Sequence, residues 1–199
     1  RALELMGREM NIAEILDIVA ADEGFHFRSG GGVTVGGGDP IMQADFVNAM
    51  LKACRARGID TAVETAGYGS WKQLERICRH ANLVFYDVKS MDAEKHKAFT
   101  GASNGQILEN LSRLSIRFPE LPIVARTPVI PGFNDTSKDI SAIVRFLKSI
   151  RTLQKYELLP YHKFGIPKYR QLGKMCLYPD ASPPTHEGIQ RLRAIANEK

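Results

Sequence analysis

Gly36-Gly37-Gly38-Asp39-Pro40, Asp87-Val88-Lys89, Arg126 and Tyr161-His162 are the places in this chain where residue type and spacing could do chemistry. Glycine lets a backbone approach a ligand closely and adopt positive φ. Exposed carbonyls beside the Asp39 carboxylate would suit an ammonium group, since both are hydrogen-bond acceptors. A tight strand-to-helix turn is the plainer explanation, but it asks for one or two glycines. Here two triplets, Gly30-Gly31-Gly32 and Gly36-Gly37-Gly38, frame one short apolar run. The pattern is not a P-loop, because no Lys-Ser or Lys-Thr follows, and it does not satisfy G-x-G-x-x-G. Asp87 and Lys89 are two apart, so they share a face if the strand continues. They could pair with each other, or Asp87 could hold a sugar hydroxyl or cation while Lys89 meets a carboxylate. Arg126 suits another carboxylate or a phosphate. His162 could donate to a ligand or be a satisfied loop histidine.

These residues need elements to position them. Five β-rich runs are visible, at 33–35, 61–63, 83–86, 123–125 and 156–159. Helical patterns lie near 11–21, 43–57, 70–80, 92–98, 106–117, 136–150 and 185–197, with Asn11 a suitable cap for the first. Strands alternating with helices of this length predict parallel βαβ crossovers in an α/β fold. A closed eight-stranded barrel needs more chain than this, which leaves an open partial barrel or a doubly wound sheet. Ligands of parallel α/β folds sit at the carboxyl ends of strands. Gly36–Asp39, Glu64-Thr65, Asp87 with Lys89, Arg126, and Tyr161-His162 follow the five runs in turn. The segment 161–184 reads as a long loop, a length that is usually functional or mobile. No linker divides the chain, so residues 1–199 read as one domain.

Composition narrows the function classes. With 44% hydrophobic and 25% charged residues the chain reads as an ordinary globular protein. No apolar run is long enough to span a membrane, and no secretory signal peptide is present. The cysteines, Cys54, Cys78 and Cys176, are too widely spaced for a metal or redox motif. They read as free thiols in a reducing cytoplasm, with Cys54 and Cys78 in helical segments as core residues. The net charge of +5 and the Lys163–Lys174 stretch raise the possibility of a nucleic-acid module. No nucleic-acid motif supports it, and a solvated face explains the charge as well. A barrel lyase or aldolase using Lys89 as a Schiff base is another reading.

The run Ser29-Gly-Gly-Gly-Val-Thr-Val-Gly-Gly-Gly-Asp-Pro40 resembles the S-G-G-G-V-T-x-S-G-G-E-P signature of glycyl radical enzyme activating enzymes, the radical-SAM family that includes pyruvate formate-lyase activating enzyme. The similarity continues in order through 58–65 (GIDTAVET), 86–92 (YDVKSMD), 100–104 (TGASN), 126–135 (RTPVIPGFND) and 157–162 (ELLPYH). It implies a partial (β/α) barrel of the radical-SAM type. About five parallel strands would be present, without the first strand and the C-x-x-x-C-x-x-C loop that holds a 4Fe–4S cluster. The opening Arg1 and the cysteine spacing fit a fragment that is inactive by itself.

By the same resemblance S-adenosylmethionine (SAM) is the cofactor. Gly37, Gly38 and Asp39 match the segment that meets its ammonium. Asp87, Val88 and Lys89 match a D-[VIL]-K segment, with Lys89 towards the carboxylate. His162 matches the histidine near ribose and adenine, Arg126 an arginine of the same site, and Glu64 an acidic position associated with a monovalent cation. The implied partners are a glycyl radical enzyme of the pyruvate formate-lyase type and, for the full-length protein, a flavodoxin or ferredoxin reductant. Neither nucleic acid nor membrane is implied. Three departures stand out: Asp39 for Glu, Gly36 for Ser and Glu64 for Asp.

Overall fold

The computed structural model describes residues 7–175 and 182–197. Asn11 opens α1 (Ile12–Ala20) with a capping box: its side chain accepts from the Glu14 N–H, and Glu14 reaches back to the Asn11 N–H. A second helix, α2 (Glu23–Ser29), was not foreseen, and it stops at Gly30 with φ +64°. β1 (Gly32–Val35) follows at once. A Cβ on Gly32 would overlap the Asp60 carbonyl of the neighbouring strand. Gly30 and Gly32 of the first triplet therefore serve a helix stop and a close strand contact.

A 3-10 turn (Pro40–Gln43) leads into α3 (Ala44–Ala56), β2 (Asp60–Thr65), α4 (Trp71–Cys78) and β3 (Leu83–Asp87). The chain continues through α5 (Ala93–Thr100), α6 (Gly105–Arg117), β4 (Ile123–Val129), α7 (Ser137–Leu147) and β5 (Leu153–Pro160). A 3-10 turn (Lys163–Gly165), α8 (Ile166–Gln171) and α9 (His186–Ala196) complete it. The sheet order is β1-β2-β3-β4-β5, with β1 parallel to β2 and β4 parallel to β5. A doubly wound sheet reverses its strand order at a switch point. This order never reverses, so that alternative is excluded.

Two expectations need correction. Arg126 does not follow the fourth strand but sits inside it, because β4 runs on to Val129. Pro128 did not stop the strand: a missing N–H costs one ladder bond, and the register with β5 continues through Pro128 opposite Leu159. The segment after β5 is not plain loop, since it holds a 3-10 turn and α8. Cys176, and that segment's 176–181 stretch, lie outside the described residues.

The chain divides into two compact units. One runs up to Glu64 and includes Gly69–Val84, and the other comprises Thr65–Tyr68 and the chain from Phe85 onward. In the first, α3 and α4 pack together, and Val47, Leu51 and Cys54 of α3 and Leu74, Ile77 and Cys78 of α4 are all buried. Both thiols are free, as the wide cysteine spacing suggested, and both are buried as expected of core residues in helices. In the second, Val129, Leu158, Ile140, Ile189 and Leu192 join β4 and β5 to α7 and α9. Full burial of each such side chain contributes about 1.5–3 kcal/mol. Among the described residues no helix is long and apolar enough to cross a membrane.

Candidate functional site

In the first unit the turn after β1 carries the glycine and carboxylate features. Gly37 has φ +106°, a region that favours glycine. A Cβ at Gly37 or Gly38 would meet nothing within 4 Å, so this flank is open to an approaching group. Asp39 Oδ1 accepts from the Ile41 N–H at 3.2 Å and caps the 3-10 turn, a structural duty beside any ligand. A Cβ at Gly36 would lie 3.3 Å from Glu64 Oε2, tight enough that a larger residue would press on Glu64. Glu64 itself is exposed on β2.

In the second unit Asp87 ends β3, and Lys89 Nζ lies 2.9 Å from Asp87 Oδ2. The ion pair considered from the sequence is therefore formed, with each side chain about a quarter exposed (26% and 25%). Such a pair contributes little to stability, but it holds Lys89 over the end of β3. The Val88 side chain is buried, and its N–H donates to the Arg126 carbonyl at 2.8 Å. Arg126 Nε approaches Glu157 Oε2 at 3.4 Å, and its guanidinium lies 3.6 Å over the Phe85 ring. Glu157 also accepts from Lys155 Nζ at 2.8 Å. That hydrogen bond first, then the charges of Lys155 and Arg126, hold the Glu157 carboxyl below the ordinary range despite partial burial.

His162 follows β5. The Phe164 N–H donates to its Nδ1 at 3.4 Å, and the two rings lie tilted with centroids 4.6 Å apart. With Nδ1 accepting, a neutral ring carries its proton on Nε2, which makes that nitrogen a donor.

Sequence reasoning missed Phe85 and Glu157, and also three buried side chains, Thr127, Asn104 and Asn134, that bond to the turn after β3. The two asparagines fall within the segments 100–104 and 126–135, yet their letters look like ordinary caps and turns. A groove of about 500 Å³ in the first unit, bordered by Met42, Phe46, Lys72 and Arg76, includes none of the candidate residues.

A family model of the radical SAM superfamily matches residues 3–147. The chain belongs to the radical SAM superfamily. It is 47% identical over 174 residues to an isethionate sulfite-lyase activating enzyme of Oleidesulfovibrio alaskensis, covering 87% of this chain and 56% of that protein. It is 40% identical over 168 residues to a (2S)-3-sulfopropanediol sulfolyase activating enzyme of Bilophila wadsworthia, covering 84% and 55%. A domain of a pyruvate-formate lyase-activating enzyme from Bacteroides vulgatus superposes with TM-score 0.68 at 30% identity, covering 83% of this chain and 92% of that domain. The chain spans about half the length of the curated relatives it matches. These findings bear out the resemblance to activating enzymes and the partial-barrel fold. They lend no support to the Schiff-base or nucleic-acid readings.

Membership in the radical SAM superfamily implies SAM and a 4Fe–4S cluster. The described thiols do not fit the cluster. Cys54 and Cys78 are buried in helices, and burial raises both above the ordinary thiol value, whereas iron takes thiolate. Among the described residues no group of three or more His, Cys, Asp or Glu side chains could hold a metal ion. The polar groups present suit SAM better in kind, since the first unit offers a carboxylate beside an open glycine flank and the second a lysine, an arginine and a histidine.

Proposed function

We propose that this radical SAM chain is the SAM-binding part of an activase that installs a glycyl radical on a partner enzyme. The observation that carries the reading is the match of 87% of the chain, at 47% identity, to an activating enzyme. The glycine-carboxylate turn after β1 and the Asp87-Val88-Lys89 turn after β3 supply the group chemistry to go with it. Asp39 and the carbonyls of Gly37 and Gly38 accept from the SAM ammonium, and charge-assisted bonds of this kind are the strong ones. Lys89 meets the SAM carboxylate, already aimed by Asp87. Asp87 accepts from a ribose hydroxyl, Val88 lines the same turn, Arg126 offers a second cation to the anionic side, and His162 Nε2–H donates near the ribose and adenine. Glu64 is the candidate contact for a monovalent cation.

The chemistry supplied by the cluster, when bound, is reductive cleavage of SAM. The residues described here bind and orient SAM. With three dispersed cysteines, residues 1–199 bind SAM without cleaving it. The partner is a glycyl radical enzyme, and an isethionate sulfite-lyase is the first candidate because the most similar relative cited above activates one. A flavodoxin or ferredoxin supplies electrons to the complete enzyme.

Titration calorimetry with SAM tests the binding. Anaerobic incubation of the complete, reconstituted enzyme with reductant and candidate lyases tests the rest. A glycyl doublet in the electron paramagnetic resonance spectrum and release of 5′-deoxyadenosine are expected. Absence of SAM binding at millimolar ligand would sink the reading.

A further inference from the structure

Three consecutive carbonyls in the turn after β3 are each held by a buried side chain from a different place in the second unit. Thr127 Oγ1 donates to the Val88 carbonyl. Asn134 Nδ2 donates to the Lys89 carbonyl at 2.7 Å, and Asn104 Nδ2 donates to the Ser90 carbonyl at 2.8 Å. Thr127 and Asn134 are fully buried, and Asn104 is 3% exposed. We infer that Thr127, Asn134 and Asn104 are positioning residues that fix the main chain at 88–90 so that Lys89 is presented to the SAM carboxylate. The inference rests on the ligand reading of Lys89 given above.

Buried carbonyls need donors, and a regular ladder would supply backbone N–H groups. Here the ladder ends with the Val88 N–H on the Arg126 carbonyl. From that point side chains replace it, and each is tied at its other end. Asn134 uses both its amide hydrogens and its carbonyl oxygen. Its second amide hydrogen goes to the Pro128 carbonyl at 2.9 Å, and its Oδ1 accepts from the Ile130 N–H at 2.8 Å. It thereby locks the turn after β3 to the turn after β4. Thr127 has one hydroxyl hydrogen. Tyr156 on β5 donates to Thr127 Oγ1 at 2.9 Å, so that hydrogen is directed at Val88. Burial raises Tyr156 above its ordinary value, so the phenol keeps the proton that it donates. Asn104 stands just before α6, which its side chain does not cap, and its Nδ2 donates to the Ser90 carbonyl.

The consequence is a backbone with little torsional freedom where Lys89 leaves it. With the main chain fixed and the Lys89 side chain paired to Asp87, little remains to be ordered on binding, which lowers the entropic cost of capturing an anion. A merely structural role would lower stability alone. A positioning role acts on one part of one ligand.

The experiment compares SAM with decarboxylated SAM by titration calorimetry of the protein and of Asn134→Ala, Thr127→Val, Thr127→Ser and Lys89→Met, each with a thermal melt. Asn134→Ala and Thr127→Val are expected to weaken SAM about tenfold and decarboxylated SAM less than about twofold. Thr127→Ser, which keeps the hydroxyl, is expected to bind SAM like the parent. In the Lys89→Met background Asn134→Ala should add almost nothing. Equal loss of both ligands, or full additivity with Lys89→Met, overturns the inference in favour of a purely structural role. If Asn134→Ala does not fold, the Thr127 pair decides alone by the same criterion. If Lys89→Met leaves SAM binding intact, the ligand reading of Lys89 fails first and takes the inference with it.

Discussion

Arg126 and Glu157 are register partners in the β4–β5 ladder, and their side chains also meet, Nε to Oε2 at 3.4 Å. The guanidinium is clamped between that carboxylate and the Phe85 ring. A lysine would keep the charge but lose both the planar fork and the stacking. Arg126→Lys is therefore expected to lower SAM affinity about tenfold and the melting temperature by a few degrees, read by calorimetry and thermal denaturation. Unchanged binding would remove Arg126 from the site.

Asp39 has two jobs that substitution can separate. Asn retains the acceptor for the Ile41 N–H and lacks the charge. Asp39→Asn should weaken SAM about tenfold with stability within about 0.5 kcal/mol of the parent, while Asp39→Ala should lose about 1 kcal/mol as well. Equal SAM binding by the parent and Asp39→Asn would leave the residue as a cap only.

Gly67 has φ +66°, and a Cβ there would overlap the Tyr86 hydroxyl, which donates to the Ile107 carbonyl at 2.7 Å. Tyr86 is fully buried and cannot retreat. Gly67→Ala is expected to destabilise the fold by roughly 2–4 kcal/mol in denaturant titration. A change below about 1 kcal/mol would show that the contact relaxes freely.

Acid should unfold the protein partly through Asp139. Burial alone would raise its carboxyl, but hydrogen bonds from Lys95 (2.8 Å) and Thr136 (2.6 Å), with the Lys95 charge, hold it below the ordinary value. Because the folded value is the lower one, the stabilisation is complete above the unfolded carboxylate value, about pH 4. It is lost as pH falls through the folded value. Asp139→Asn should lower the melting temperature at pH 7 and flatten its fall below about pH 4, followed by circular dichroism. An acid limb identical to the parent's would assign that limb to other carboxylates.

Much of the frame was legible because its signals are local. Asn11 with Glu14 marks a helix start, and the apolar runs at 33–35, 61–63 and 83–86 fall inside real strands. Strand order could not be read, since apolar letters do not say which neighbour they meet. β4 runs four residues beyond the apolar run at 123–125 and β5 begins three residues before Tyr156, because pairing across the sheet carries both strands past their apolar letters. At the candidate site, charged residues at strand ends were visible, but their supports were not. Asn104 and Asn134 act through contacts 14 and 45 residues distant in sequence, a separation that no spacing rule reaches.

Gly36 and Glu64 depart from the signature at positions 28 apart in the chain, yet a side chain at 36 would begin 3.3 Å from Glu64 Oε2. What position-by-position motif scoring counts as two defects is a single transfer of volume: the acid gained a methylene where its neighbour gave up a hydroxymethyl. Restoring Ser at 36 would therefore ask the exposed Glu64 carboxylate to shift aside by a few tenths of an ångström, a demand that the shorter Asp at 64 would not make.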